Sequence, residues 1–318
     1  LGGGQMQLKG RVDRLDTTPA YDLRATVDSV DAGALAGLDS LSARIGALTW
    51  RLDGRGTDPA TLTAATQLMG TGVAVDRFTV DTLDLSGELR RGQLVLDTLR
   101  AQSNAFESRG SGTLALTDTA AASAFSLRTE VTDAAPLRRL LGATTFQLQR
   151  GVVTTNVYGA SLASQRFDGT VDVKGLAYED VRITEAALNF NGVRGREQWL
   201  RQVELSGTVG YLSLPGLSPE ETRLRATYDG AEIDLSSQVR LDSERAADVG
   251  ATIRPGAEQT DVSLTQLDLR LEDDRWSLLQ SASITVSDHY RVRGLLLYSG
   301  NQQIAADGIV DVTGEQSL

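Results

Sequence analysis

The feature that most constrains the fold is an alternation of apolar and polar residues that continues along the whole chain. It is clearest near the C-terminal end, as in residues 233–241 (IDLSSQVRL) and 267–271 (LDLRL). A period of two is typical of strands with one buried face and one solvated face. The intervening residues are mostly Asp, Thr, Arg, Ser and Gln, so we expect water on that side. About 18 to 20 such segments, separated by turn residues, predict an all-β chain with a long antiparallel, meandering sheet.

Three short segments interrupt this pattern and predict helices, at residues 32–38, 58–69 and 132–141. Asp58 followed by Pro59 is typical of an N-cap and first turn, and Asp133 opens the third segment in the same way. Helices this short would cover only a small part of the apolar faces. No shift in composition and no linker marks a boundary, so we expect one elongated unit over residues 1–318. We also expect it to be an interior piece of a longer protein.

Charge and composition exclude several classes of protein. The net charge is −11, the sequence pI is about 4.7, and the basic residues are scattered singly or in pairs. We therefore expect no nucleic-acid partner, because such binding needs a basic stripe. The chain has no cysteine, which excludes thiol catalysis and thiolate metal sites. No apolar run approaches the roughly 18 to 20 residues that cross a bilayer.

Motifs for catalysis or metal binding are equally scarce. The sole histidine, His289, lies in a predicted turn, and no Gly-x-Ser-x-Gly elbow, P-loop or EF-hand loop occurs. The acidic run at residues 272–274 is typical of a solvated turn. A carbohydrate hydrolase would need paired carboxylates, and none recurs on a single face. We therefore expect no enzyme activity, no cofactor and no metal.

The apolar sides of so many strands must be covered by something. They could pack against a second layer in a sandwich or barrel, or around the interior of a solenoid. Alternatively, the sheet could curl into an open trough that holds the acyl chains of another molecule. An uncovered trough is unfavourable by roughly 25 cal/mol per Å² unless it is occupied. With aromatic residues at 5%, the lining would be mostly Leu, Val, Ile and Ala.

A resemblance to a known family rests on the order of strands, glycines and bends in residues 83–118 (LDLSGELRRGQLVLDTLRAQSNAFESRGSGTLALTD). A strand containing Gly87 is followed by a Gly-x-Leu-x-Leu strand from Gly92, a Leu-x-x-x-Ser bend that ends at Ser103, and a second Gly-x-Leu-x-Leu strand from Gly112. Residues 50–56 (WRLDGRG), which lead into the segment 58–69, and residues 133–141 match as well. Over essentially its whole length the chain resembles the AsmA-like and TamB-like proteins of the bacterial envelope.

The part most similar to TamB is residues 267–314. It contains a Trp-x-Leu strand at Trp276, a strand with Ile284, a Tyr-x-Val-x-Gly-Leu strand from Tyr290, and an Ile-x-x-x-Gly strand from Ile304. The resemblance implies a β-taco, a curled sheet with an open apolar groove, in the periplasm of a diderm bacterium. Such proteins are anchored in the inner membrane and carry phospholipid towards the outer membrane, where they contribute to its biogenesis.

The same resemblance implies a barrel partner of the TamA type in the outer membrane. We expect the segment that binds this partner, and the membrane anchor, to lie outside these 318 residues. The predicted lining of the groove is Leu94, Leu96, Val203, Leu205, Val209, Tyr211, Ile233, Leu235, Val239, Leu241, Ile284, Val286, Tyr290, Val292, Leu296, Ile304, Val310 and Val312. The alternative is a structural or adhesive β-repeat with a closed core. A covered or an uncovered apolar face distinguishes the two.

Overall fold

The computed structural model of the chain confirms the predicted all-β fold: antiparallel strands dominate it. Among the described residues, helical backbone is confined to a single short turn. The described residues are 4–13, 18–31, 43–58, 61–75, 78–117, 122–131, 133–135, 138, 145–159, 165–193, 201–214, 216–256, 259–287, 289–311 and 316–317.

The described part of the chain forms 21 strands, slightly more than the sequence pattern predicts. They are β1 (Gln5–Asp13), β2 (Ala20–Asp31), β3 (Ala43–Arg55), β4 (Thr63–Val75), β5 (Phe78–Arg90), β6 (Gln93–Gln102), β7 (Phe106–Ala115), β8 (Ser123–Val131), β9 (Phe146–Gly159), β10 (Arg166–Tyr178), β11 (Val181–Val193), β12 (Gln202–Ser213), β13 (Glu221–Tyr228), β14 (Ile233–Arg240), β15 (Arg245–Pro255), β16 (Thr260–Leu271), β17 (Asp274–Leu278), β18 (Ala282–Val286), β19 (His289–Ser299), β20 (Gln302–Asp311) and β21 (Gln316–Ser317).

The chain divides into two compact units. Unit 1 contains β1 to β10, and each strand pairs antiparallel with the next one in sequence. Unit 2 contains β11 to β21 and follows the same rule from β11 to β16. The predicted antiparallel meander is thus confirmed within each unit. The prediction of one elongated segment concerns the arrangement of the units and stays a prediction.

Unit 2 departs from a simple meander at β17 and β18. Both short strands lie between β16 and β19, so together they act as one interrupted strand. The interruption, Leu279 to Ser281, lies beside a register shift in β16 and another in β19, where Gly294 has a φ of +69°. Bulges bend a strand and increase its twist. The bulges are therefore aligned across neighbouring strands.

The helix predicted at 58–69 is wrong. Only a turn forms there, in which the amides of Thr61 and Leu62 donate to the carbonyl oxygen of Asp58 at 2.9 and 2.7 Å. The following residues form β4, where Ala64, Thr66 and Leu68 alternate with exposed residues. The helix propensity of Ala, Gln, Leu and Met is a weak preference, and ladders with β3 and β5 on both sides override it.

The helix predicted at 132–141 is confirmed only at its first turn. The Ala135 amide donates to the Asp133 carboxylate at 2.9 Å, so Asp133 is the predicted N-cap. The Arg138 amide donates to the carbonyl oxygen of Ala134 at 2.9 Å. The rest of this segment and the whole helix predicted at 32–38 lie outside the described residues.

The conformation of the backbone explains why glycine and serine recur at fixed places between the strands. Gly92, with a φ of +73°, forms the turn between β5 and β6 with Arg91. The hydroxyl of Ser103 accepts the amide hydrogens of Ala105 and Phe106, each at 3.0 Å, and so closes the turn between β6 and β7. A Cβ atom at Gly112 would lie 2.2 Å from the carbonyl oxygen of Ala124, so only glycine fits there.

Candidate functional site

The strand registers bring the apolar residues of unit 1 together on one face of its sheet. Directly opposed residues in an antiparallel pair lie on the same face. At strand spacings of about 4.8 Å, a row through all ten strands is about 43 Å long. The central row, which contains no charged residue, is Leu8, Ala25, Trp50, Leu68, Leu85, Leu99, Gly110, Leu127, Thr155 and Gly169.

Unit 2 has a corresponding apolar face. One uncharged row is Gly192, Val203, Tyr228, Ile233, Ile253, Val262, Ile284, Val292 and Gly308. The adjacent row alternates large and small residues from Leu205 onwards, and consists of Phe190, Leu205, Ala226, Leu235, Ala251, Leu264 and Ala282. We call the continuous surface formed by such rows the apolar face of each unit.

The opposite face of each sheet is charged. Cross-strand ion pairs join Arg150 to Glu130 at 3.0 Å in unit 1 and Arg254 to Glu232 at 2.8 Å in unit 2. Hydrogen bonds from Ser277, and then from Gln266, lower the pKa of Asp268 on this face. This face therefore interacts with water, as the alternation predicts.

The arginines of this charged face correct one inference from the sequence. The basic residues look scattered along the chain, yet Arg100, Arg109 and Arg128 stand directly opposite one another on β6, β7 and β8. Sequence reasoning misses such a row because the pairing register is not known. Glu107 and Glu130 form ion pairs with Arg109 and Arg128, so the row is partly neutralised.

The apolar faces are only partly covered. The large side chains of the central row in unit 1, such as Trp50, Leu68 and Leu85, are half-buried. No large side chain among the described residues is fully buried. The chain exposes 19874 Å². A compact protein of 33.9 kDa exposes about 13,000 Å², and two separate globules of half that mass expose about 15,000 Å² together. The surface is larger than either value, in agreement with the scarcity of fully buried side chains.

Exposure of the apolar face is greatest on strands at or next to an end of the sheet. Met6 and Leu8 of β1 are 65% and 59% exposed, although their partners Val27 and Ala25 on β2 are buried. In unit 2, Ile304 of β20 is 49% exposed, although its partner Leu297 is buried. Burial on this face thus comes from neighbouring strands in the same sheet.

Polar groups on the apolar face are few and mostly satisfied. The indole nitrogen of Trp50 donates to the hydroxyl of Thr66 at 2.9 Å, and the hydroxyls of Ser108 and Thr129 pair at 2.8 Å. Burial raises the pKa of Tyr21, which stands on this face opposite Val12. These contacts keep the face electrically neutral. Such a surface, whose described central rows contain no charged residue, can bind apolar chains.

Most of the residues predicted to line a groove stand on the apolar faces. Those in unit 1 are Leu94 and Leu96. Those in unit 2 are Val203, Leu205, Val209, Ile233, Leu235, Val239, Ile284, Val286, Tyr290, Val292 and Ile304. Within unit 2 the registers bring these residues into adjacent rows. Val209 is only 7% exposed, however, and is less accessible than its half-buried neighbours.

Two predicted lining residues, Tyr211 and Leu296, differ from the others. Tyr211 has a φ of +51°, which departs from an extended backbone, and its side chain is 63% exposed. Leu296 lies between Leu295 and Leu297, which both point to the apolar side after the bulge at Gly294, so Leu296 faces the other way. A bulge reverses the alternation, and a sequence pattern does not reveal it.

Three other residues predicted to line the groove are not placed on an apolar face. Leu241 is half-buried but follows the end of β14. The backbone of Val310 pairs with Tyr290, and nothing further is described for its side chain. Val312 lies outside the described residues.

Several residues of the apolar face were missed from the sequence. Leu68 was assigned to a predicted helix, although the alternation of Ala64, Thr66 and Leu68 was a signal for a strand. Leu85 and Leu99 belong to the alternating segments of β5 and β6, but the bulge between Leu96 and Leu99 hides their shared row.

The sequence features weighed for catalysis or metal binding lie away from the apolar faces. His289 begins β19, and its carbonyl oxygen accepts the amide hydrogen of Ser287 at 3.1 Å. Glu272 and Asp273 form the exposed turn between β16 and β17. Within the described ranges, no three metal-binding side chains cluster, and no helix is long and apolar enough to cross a membrane.

No protein-family model, no curated protein and no solved structure matches this chain.

Proposed function

We propose that this chain is a segment of a periplasmic bridge that carries phospholipid acyl chains along its apolar faces. The sheet curls in this proposal, so that each face becomes the floor of a groove and the headgroups remain in water. The chain acts by binding alone, and no reaction takes place on it.

The observation that carries the proposal is the uncharged, half-exposed face formed by row after row of Leu, Val, Ile and Ala. Leaving such a surface in water is unfavourable by roughly 25 cal/mol per Å². An exposed apolar surface of this extent is typical of a site that binds another molecule. Acyl chains suit it because they need apolar contact along their length and no hydrogen bonds.

The resemblance to the AsmA-like and TamB-like proteins supplies the cellular part of the proposal. The parent protein would be anchored in the inner membrane of a diderm bacterium and would engage a TamA-type barrel in the outer membrane. Both contacts would use segments other than these 318 residues. The acidic net charge of −11 would weaken binding of anionic headgroups to the charged faces.

Site-specific photocrosslinking in cells tests the proposal. A photoreactive amino acid replaces Leu68 in unit 1 or Leu235 in unit 2, both half-buried on the apolar faces. The matched controls are Gln67 and Ser236, which adjoin them in sequence but are exposed on the charged faces. After irradiation, mass spectrometry of the purified protein detects covalent lipid adducts. We expect phospholipid adducts at positions 68 and 235 and none at 67 and 236.

Equal labelling at all four positions would indicate nonspecific contact with membranes and would contradict the proposal. No lipid adduct at any position, together with no phospholipid in organic extracts of the purified protein, would favour the scaffold alternative.

A further inference from the structure

Thr222 is an exception among the polar groups of the apolar faces. It lies on β13 between Val209 and Val239, and only 8% of it is exposed. Its hydroxyl oxygen is the one buried side-chain polar atom without a hydrogen-bond partner among the residues that the structure describes. Burying a hydroxyl without a partner is unfavourable, because the group loses its hydrogen bonds to water.

The other hydroxyls near Thr222 avoid this loss. The Ser237 hydroxyl donates to the carbonyl oxygen of Arg223 at 3.2 Å, and the Tyr228 hydroxyl donates to the carbonyl oxygen of Gly230 at 3.0 Å. Both residues belong to the same sheet face as Thr222. The lack of a partner is therefore specific to Thr222, and it points to a partner supplied by a guest molecule.

The position of Thr222 indicates the chemistry of that guest. In the direction of the chain, the apolar face continues from Thr222 through Leu224 and Ala226 for about 20 Å to Tyr228. In the opposite direction lies a charged rim, where Arg240 forms ion pairs with Glu221 at 2.9 Å and with Glu220 at 3.9 Å. Thr222 thus stands at the boundary between an apolar surface and a charged rim. In a phospholipid, the ester carbonyls occupy the same boundary between acyl chain and headgroup.

We propose that the Thr222 hydroxyl donates a hydrogen bond to an ester carbonyl of a bound glycerophospholipid. This inference rests on the proposed function and adds a fixed point to it, because it sets the depth at which the lipid lies across β13. Val209 and Val239 flank Thr222 on the neighbouring strands, so the ester carbonyl reaches the buried hydroxyl when these side chains turn aside.

The test compares two lipids and two proteins. The lipids are a diacyl phosphatidylethanolamine and its dialkyl ether analogue, which lacks both carbonyls. The proteins are the full chain and its Thr222→Val variant, in which a methyl group replaces the hydroxyl at nearly the same volume. The affinity for each lipid is measured by competition against a fluorescent phospholipid in detergent-free buffer. Thr129→Val serves as the control, because the Thr129 hydroxyl already has a partner in Ser108.

We expect the native chain and the Thr129→Val variant to prefer the diacyl lipid by roughly fivefold, the value of one hydrogen bond, and the Thr222→Val variant to show no preference. The Thr222→Val variant should also be at least as stable as the native chain without lipid. Equal affinities of the native chain for the two lipids, or a preference that survives in Thr222→Val, would overturn the inference while leaving lipid binding intact. Failure of either lipid to bind the native chain would overturn the proposed function as well.

Discussion

The central row of unit 1 and the bulged region of unit 2 show two outcomes of the same alternating pattern. In unit 1, Leu68 lies between Trp50 and Leu85, and all three side chains are half-buried. In unit 2, Leu264 lies between Ala251 and Ala282, and it is only 8% exposed. Leu68, between large neighbours, is partly exposed, whereas Leu264, between small neighbours, is covered by other side chains of the protein.

The difference arises from packing around small residues and from the bulges. Ala251, Leu264 and Ala282 form a buried cluster, against which the partly buried side chains of Val249, Val262, Leu267, Leu278 and Leu295 pack. The bulges of β16, of the interrupted strand and of β19 lie beside it. Because a bulge bends its strand, side chains from neighbouring strands can converge there. Alternation makes a face apolar, but residue size and register decide whether other side chains cover that face.

The largest expected difference is in lipid contact. A photoreactive amino acid at position 264 should yield no lipid adduct in cells, because the surrounding side chains already cover that position. The same amino acid at position 68 should be labelled, as proposed above. Labelling of position 264 as strong as that of position 68 would show that the cluster of unit 2 opens to the guest and would remove the distinction between the two regions.

The next largest effect is on stability. Leu264→Ala should lower the free energy of unfolding by about 3 kcal/mol, because it leaves a cavity among residues that are already small. Leu68→Ala should lower it by only about 1 kcal/mol, since that side chain is half-buried. Chemical denaturation of lipid-free protein, followed by circular dichroism, measures both losses. Equal losses would show that the two leucines are buried to the same extent and would contradict the difference between the two regions.

A smaller effect should come from the bulge itself. Gly294 has a φ of +69°, and a Cβ atom there would meet nothing closer than the Gln280 side chain at 3.8 Å. Gly294→Ala should therefore be unfavourable by roughly 1 kcal/mol through backbone strain alone. Gly72→Ala in unit 1, at a φ of +63°, is the matched control.

Hydrogen exchange distinguishes these two variants. Gly294→Ala should accelerate exchange at the amides of Leu264 and Ala282, while Gly72→Ala should leave them unchanged. Unchanged exchange in both variants would mean that the bulge does not hold the cluster together.

The smallest effect concerns acid. Hydrogen bonds from the Arg245 side chain and from the amides of Glu244 and Arg245 lower the pKa of Asp242, with the side-chain bond contributing most. A lowered carboxyl pKa stabilises the folded state above the ordinary carboxyl range, near pH 4, and this stabilisation is lost as the pH falls below it. Among the described residues, the carboxyl groups with a resolved lowering of the pKa all lie in unit 2.

Acidification below pH 4 should therefore affect unit 2 before unit 1. The fluorescence of Trp276 reports on unit 2 and that of Trp50 on unit 1, each measured in a variant that lacks the other two tryptophans. Asp242→Asn should bring the two transitions closer together. A transition that begins first at Trp50 would contradict this assignment.

Much of the fold can be predicted from the sequence because the hydrophobic alternation is local. The strands around Ile233, Leu235 and Val239 follow directly from period two, and the turn at Ser103 follows from its hydrogen-bonding hydroxyl. The segment 58–69 was predicted as a helix because its residues favour a helix when isolated, and that preference outweighed the alternation of Ala64, Thr66 and Leu68. Leu296 was misplaced because a bulge exchanges the two sides of its strand, and the positive φ of Tyr211 is not visible in the alternation.

The sequence by itself determined that this protein is built of antiparallel strands with one apolar and one charged side, since that information lies in neighbouring residues. Only the tertiary structure decided which residues share a row, which arginines stand side by side, and where the apolar face is closed. Those outcomes depend on register between strands that are brought together by folding. The buried hydroxyl of Thr222 is of the same kind, because its lack of a partner is set by every strand around it.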